Sequence, residues 1–318
     1  MTGDGMTGGV PRRVVVVGGT GQIGRPLCAA LAGAGHAVTV FSRDPARAAA
    51  LVPAAAHCLA WSPRGLSAEC AGHLAAADAV VYLAGAPLFD GRRHSREDVA
   101  ALSRERCAAL GCLVTELKSL GRGPGVLVAA SSVGYYGYAG GGDAPVDETA
   151  PAGGDWWGAD SAMIERAALG AAGHGVRTVL LRTGYVLTAD SLASQVARFR
   201  RHAGGWIGTG RGWTPWIHIA DEVGIIAFAL DHAAVDGPVN LTAPEPVRGR
   251  EFAGALGAAL GRRAWLPVPA PFAAMGLGVV TDILVRGKRV IPAAVAAAGY
   301  RFRFPVLGEA LRDLTAGG

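Results

Sequence analysis

The segment Val14–Gly24, VVVVGGTGQIG, constrains this chain more than any other. Four consecutive valines favour extended backbone, and a run without polar alternation marks a strand buried on both faces. An apolar helical pattern begins near Ile23. Between strand and helix, Gly18, Gly21 and Gly24 recur at three-residue spacing, and Gly19, Gly21 and Gly24 satisfy G-x-G-x-x-G. Glycine is needed here because the chain must turn sharply, let its backbone approach a pyrophosphate, and pack the helix closely on the strand. The helix N-terminus then offers free N–H groups and partial positive charge to the phosphates. In a chain with 48 glycines the triplet alone says little; the strand before it and the helix after it give it meaning. The expected cofactor contacts in this stretch are Gly18, Thr20, Gly21, Gln22, Ile23 and Gly24.

The choice of dinucleotide is written after the next strand, His36–Phe41. An NAD site usually places Asp or Glu there for the ribose 2′-hydroxyl. This chain has Ser42-Arg43 first and Asp44 only afterwards. Arginine pairs with a 2′-phosphate that a carboxylate would repel, so Ser42 and Arg43 predict NADP(H). A third strand, Ala79–Leu83, runs into Ala84-Gly85-Ala86-Pro87. Small residues at that edge let a cofactor lie against the backbone, which adds Leu83, Ala84 and Gly85 to the expected contacts.

Charge and cysteine content exclude several classes. The net charge is +5, but of 30 basic residues only Lys118 and Lys288 are lysine, and the arginines are scattered rather than clustered. Nucleic acid is therefore not an expected partner. The five cysteines show neither CxxC nor Cys/His spacing, so no metal site is expected and the thiols read as those of a reducing, cytoplasmic compartment. The apolar region Ala264–Val285 is interrupted by prolines and Asp282, so no membrane partner is expected either.

Downstream, Ser95–Leu120 carries a long helical pattern, and Val126–Ala130 is a buried strand delivering Ser131-Ser132-Val133-Gly134-Tyr135-Tyr136-Gly137. Hydroxyls at the carboxyl edge of a parallel sheet face the cleft where ligands sit. Gly140–Asp155 reads as a loop, Asp160–Ala172 as a helix, Val176–Thr183 as a strand and Leu192–His202 as a helix. This alternation predicts an α/β fold, a Rossmann-type doubly wound parallel sheet with a small C-terminal substrate lobe. The expected division is a flexible tail over 1–11, a nucleotide domain over 12–185 rejoined by 218–242, and a lobe formed by 186–217 and 243–318. Asp221 reads as the N-cap of a helix from Glu222 onward.

These segments resemble the short-chain dehydrogenase/reductase superfamily, in its extended or atypical branch. They are most similar to bacterial epimerase-family proteins described as nucleoside-diphosphate-sugar epimerase-like. GGTGQIG, DAVVYLAGAP, SSVGYYG, LRTGYVL, WIHIADE, VNLTAPEPV and GYRFRFP carry the resemblance in order along nearly the whole chain. It implies a dinucleotide domain with a substrate lobe, and a homodimer at the family level. The superfamily's chemistry uses a Ser for the substrate carbonyl, and a Tyr with a Lys four residues later for the proton. Ser132 stands at the Ser position. Where Tyr-x-x-x-Lys should open the next helix, this chain has Asp155-Trp156-Trp157-Gly158-Ala159-Asp160-Ser161, a departure shared with the epimerase-like relatives.

A tyrosine ionises near pH ~10 and needs a neighbouring cation to act as a base at neutral pH. The expected catalytic residues are Ser132 and Tyr136, with Tyr135, His218, Asp147 and Glu148 as other proton carriers. Tyr135, Trp157, Trp216 and His218 are the expected substrate contacts. Trp156, Trp157, Trp206, Trp213 and Trp216 are candidates for one aromatic wall. The activity expected is NADP(H)-dependent oxidoreduction or epimerisation of a small-molecule carbonyl or hydroxyl. A cofactor-assisted isomerase or lyase, or a non-catalytic NADP(H) sensor, remains open.

Overall fold

The computed structural model describes residues 10–63, 65–120, 123–140 and 142–316. Most of the expected tail, residues 1–9, lies outside them. The valine run forms β1 (Arg13–Val17), followed by α1 (Gly24–Gly33) and β2 (Ala37–Ser42). Next come α2 (Pro45–Leu51), β3 (His57–Ala60), α3 (Ala68–Ala76), β4 (Ala79–Tyr82) and α4 (Arg96–Ser119). Then follow β5 (Val126–Ser132), α5 (Trp156–Leu169), β6 (Arg177–Thr183), β7 (Tyr185–Leu187) and α6 (Ala189–Arg200). The remainder comprises β8 (Trp213–Thr214), β9 (Trp216–His218), α7 (Ile219–Asp231), β10 (Gly237–Leu241), β11 (Val247–Arg248) and α8 (Gly249–Ala259). The chain closes with α9 (Ala270–Leu277), α10 (Thr281–Val285), α11 (Ala293–Ala297) and α12 (Leu307–Thr315).

The central sheet has seven parallel strands in the order β10-β6-β5-β4-β1-β2-β3. Chain direction across the sheet reverses between β1 and β4, which opens a crevice outside their carboxyl ends. The valines of β1 show why the strand reads as an unbroken apolar run. Val14 and Val16 join the core on one face, with α1 and α7, while Val15 and Val17 join the core on the other, with α3, α4 and α5. Both faces are covered, so neither side of the strand can be polar.

A third core lies outside the sheet. It gathers Leu192 and Phe199 of α6, Phe252 and Leu256 of α8, Leu307 and Leu311 of α12, and Trp216. The segment α2–β3–α3 escapes the sequence reading, and α5 begins at Trp156, four residues before the expected Asp160. Asp155 explains that early start, because its side chain accepts from Gly158 N at 3.0 Å as the N-cap. Among the described residues no helix is long and apolar enough to cross a membrane.

Candidate cofactor and active site

The glycine turn has the geometry of a phosphate cradle. Gly18 has φ +91°, and a Cβ there would lie 2.7 Å from Ala84 N, so β1 and the end of β4 approach backbone to backbone. A Cβ on Gly24 would lie 2.3 Å from Gly18 O, and only glycine lets α1 begin that close to the strand. No side chain caps α1, whose N-cap Ile23 has nothing to offer the first-turn N–H groups. Arg25 N donates to Gly21 O at 3.0 Å and Pro26 has no N–H, so the donors this helix start presents to a pyrophosphate are the N–H groups of Gln22, Ile23 and Gly24. Leu83 and Ala84 are half-buried and Gly85 is exposed on the facing edge.

Ser42 hydrogen-bonds within its own turn, its Oγ donating to Asp44 O at 3.1 Å and accepting from Asp44 N at 3.2 Å. Asp44 accepts from Arg47 N at 2.9 Å as the N-cap of α2, so its carboxylate serves that helix. Arg43 is exposed and has no ion-pair partner among the described residues.

Arg106 of α4 was not anticipated from the sequence. Its side chain runs 3.5 Å from the position of a Cβ on Gly85, and Nη2 donates to Ala130 O at 2.6 Å. Its Nε is buried without a partner, and it has no carboxylate partner among the described residues. Burial pulls its pKa down from the usual arginine value. An arginine amid the apolar pattern of a sheet-packed helix was the available signal.

The carboxyl end of β5 carries the hydroxyls. Ser132 is half-buried, and its Oγ accepts from Gly134 N at 3.0 Å, which leaves its own proton free to donate. Tyr136 is 1% exposed, and its hydroxyl donates to Asn240 Oδ1 at 2.7 Å while accepting from Arg182 Nη1 at 2.9 Å. Burial pushes its pKa up to about 12 against the opposing pull of Arg182 and Asn240. Arg182 is clamped by Glu165 at 2.9 and 3.0 Å, and Glu165 also accepts from Ser131 Oγ at 2.8 Å. Burial works against the Arg182 charge, yet the bonds to Glu165 and Tyr136 outweigh it and raise its pKa.

Tyr135 is half-buried beneath Arg182, whose Cζ lies 3.5 Å from its ring centroid. Its hydroxyl has no hydrogen-bond partner among the described residues. The loop after the tyrosines is pinned from three sides. Asp155 accepts from Tyr138 N at 2.6 Å and Ala139 N at 2.7 Å, Gly153 N donates to Tyr135 O at 2.8 Å, and Lys288 Nζ donates to Tyr136 O.

Other expected site residues lie elsewhere. Trp216 is fully buried in the third core, with Nε1 donating to Glu245 O at 3.0 Å, so no substrate reaches it. His218 is 3% exposed and is itself the N-cap of α7, accepting from Ala220 N at 3.1 Å. Its Nε2 lies 3.3 Å from Asp313, its ring 3.9 Å from that of Phe304, and burial lowers its pKa. Asp221, expected to cap α7, instead ties down the chain end, accepting from Arg303 N at 2.7 Å and Phe304 N at 2.8 Å. Trp157 is 5% exposed, stacked on Trp156 at 4.1 Å and edge-on to Tyr138 at 5.4 Å. Trp206 and Trp213 pair instead with arginines, so the five tryptophans do not form one wall. Asp147 accepts from its neighbour Thr149, and Glu148 is bound to Asn240 N at 2.9 Å and Ala294 N at 3.2 Å. No cluster of His, Cys, Asp and Glu fit for a metal ion occurs among the described residues.

Comparison with known proteins agrees with this geometry. Residues 14–241 match the profile of the NAD dependent epimerase/dehydratase family, and residues 268–314 match a domain of unknown function, DUF1731. The human epimerase family protein SDR39U1 is 34% identical over 311 residues, covering 96% of this chain and all of that protein. Its chloroplastic homologue from Arabidopsis thaliana is 34% identical over 305 residues, covering 95% of this chain and 86% of that one. The crystal structure of human SDR39U1 with NADPH superposes with a TM-score of 0.81 at 33% identity, covering 96% of this chain and 100% of that one. The chain is a member of the NAD-dependent epimerase/dehydratase family, on the atypical short-chain dehydrogenase/reductase side of it.

Proposed function

We propose that the protein is an NADP(H)-dependent oxidoreductase or epimerase acting on a carbonyl or hydroxyl of a small molecule. The observation that carries the cofactor choice is Arg43, an exposed arginine without a carboxylate partner among the described residues, one position past β2. Asp44, the nearest carboxylate in sequence, is committed to capping α2 and does not take the NAD role. Arg106, whose Nη2 is held by Ala130 O and which has no carboxylate partner among the described residues, stands at the β4–β5 edge of the crevice, across β1 from Arg43. The human relative was crystallised with NADPH, which supports the same choice.

When bound, the nicotinamide supplies or accepts the hydride. The N–H groups of Gln22, Ile23 and Gly24 hold the pyrophosphate, and Arg43 sets the adenosine end. Ser132, its oxygen already accepting from Gly134, donates its proton to the substrate oxygen. Tyr135 replaces Tyr136 in the proton-handling role, because the Tyr136 hydroxyl is spent on Asn240 and Arg182 while that of Tyr135 is uncommitted. Arg182 orients the Tyr135 ring from above.

The same lock on Tyr136, with no lysine on α5, favours a second reading as an NADP(H)-binding sensor. NADPH oxidation against a panel of aldehydes and ketones separates the two. The enzyme reading expects turnover that falls about 100-fold or more in the double variant Ser132→Ala/Tyr135→Phe, the size of a lost proton-transfer group. Tight NADPH binding with no turnover across the panel selects the sensor.

A further inference from the structure

Position 106 interrupts the buried stripe of α4. Val99, Ser103, Leu110, Leu113 and Leu117 turn one face of the helix inward, and Arg106 falls in step with them, between Ser103 and Leu110. A charge at such a position costs free energy unless something compensates it. No carboxylate does so among the described residues.

The side chain reaches the carboxyl edge of the sheet. Its Cδ, Nε and Cζ lie 3.5, 3.6 and 3.7 Å from where a Cβ on Gly85 would stand, so the guanidinium packs on the bare face of that glycine. Ala130 on β5, whose carbonyl accepts from Nη2 at 2.6 Å, comes just before Ser131 and Ser132. A guanidinium is donor-only. Here Nε is buried without a partner, and Nη1 makes no hydrogen bond among the described residues. An oxygen acceptor at this point would recover the cost of those unpaired donors. The neighbouring helix α5 brings no other cation to the edge, because its single basic residue, Arg166, stands in its last turn.

The order of the strands decides which part of a dinucleotide meets this group. In the sheet, β4 stands between β1 and β5. With pyrophosphate on the N–H groups of Gln22, Ile23 and Gly24 after β1, and the reacting ring at Ser132 and Tyr135 after β5, the cofactor must cross the end of β4. The piece between pyrophosphate and ring is a ribose, which offers hydroxyl and ether oxygens to a donor. We propose that Arg106 binds this nicotinamide ribose and so fixes the reactive half of the cofactor in front of Ser132. The proposal rests on the NADP(H)-dependent reading and assigns that cofactor a residue from α4.

Nucleotide binding, read by fluorescence or calorimetry without turnover, tests it in Arg106→Met, which keeps the apolar stem and removes the donors. NADPH should bind about tenfold or more weakly, the scale of lost hydrogen bonds from a charged donor. The fragment 2′-phosphoadenosine 5′-diphosphate carries the whole adenosine and pyrophosphate and ends before the second ribose. Parent and variant should bind it equally, which also reports an intact fold. ADP-ribose 2′-phosphate, which keeps that ribose and lacks the ring, should lose the same factor as NADPH. Unchanged NADPH affinity in the variant overturns the proposal, as does an equal loss for the adenosine–pyrophosphate fragment. A loss confined to NADPH overturns it too, since it would put Arg106 on the ring. Equal binding of NADPH and NADH by the parent strikes the NADP(H) choice alone, and NADH against ADP then decides Arg106 by the same rule. A parent that binds neither dinucleotide overturns both.

Discussion

Arg182 Nη1 donates to the Tyr136 hydroxyl at 2.9 Å in a space closed to solvent, with Arg182 3% and Tyr136 1% exposed. The contact makes the more conspicuous tyrosine of the SSVGYYG segment a structural post and leaves the neighbouring Tyr135 ring under the guanidinium.

Tyr136→Phe removes a bond from a charged donor and leaves the buried Asn240 Oδ1 without its partner. Urea unfolding should show a loss of about 1–3 kcal/mol. Tyr135→Phe keeps the ring beneath Arg182 and should change stability by less than about 0.5 kcal/mol, as for a side chain with no bonds to lose. Equal destabilisation by the two would refute the division of roles. With its pKa near 12, Tyr136 adds no ionisation to a pH–rate profile between pH 5 and 9.

Gly24→Ala places a methyl group 2.3 Å from Gly18 O, too close without displacing the start of α1. NADPH binding should fall by about 100-fold or more, since the phosphate cradle and helix–strand packing shift together. Gly33→Ala in the same helix, where nothing lies within 4 Å of the added group, is the control and should bind normally. Fluorescence titration of NADPH reads both.

Glu222 of α7 is wholly buried; Thr183 Oγ1 donates to its Oε1 at 3.0 Å, and Oε2 has no partner. Burial raises its pKa to about 8 from 4.5. The unfolded chain releases this proton near pH 4.5 and the folded one near 8, so stability falls as pH rises through that window and levels off above it. Glu222→Gln removes the titration and keeps an acceptor for Thr183. Its melting temperature should gain on the parent steadily from pH 5 to pH 8, reflecting a stability difference on the order of a few kcal/mol at the upper end. Parallel melting curves across that range would contradict the assignment.

Much of the nucleotide half was legible because apolar runs such as Val14–Val17 and Val126–Ala130 are covered on both faces and read without ambiguity. The α2–β3–α3 segment was not, because its alanine-rich helices offer little polar contrast and β3 is a four-residue edge strand. In the candidate site, local signals pointed to the turn, Arg43 and Ser132. The lock on Tyr136 joins residues 46 and 104 positions away, and Lys288 reaches it across 152, distances at which spacing carries no information. Trp216 and His218 misled for a related reason: a patterned apolar stretch ending in His also describes a buried strand whose last residue caps a helix.

The most direct test of the account is the comparison of NADPH and NADH affinities by nucleotide fluorescence, in the parent protein and in Arg43→Ala. The parent should bind NADPH at least about tenfold more tightly than NADH, the value of one charge-assisted phosphate contact, and Arg43→Ala should remove most of that difference while leaving NADH unchanged. Equal affinities for the two nucleotides in the parent protein would contradict it.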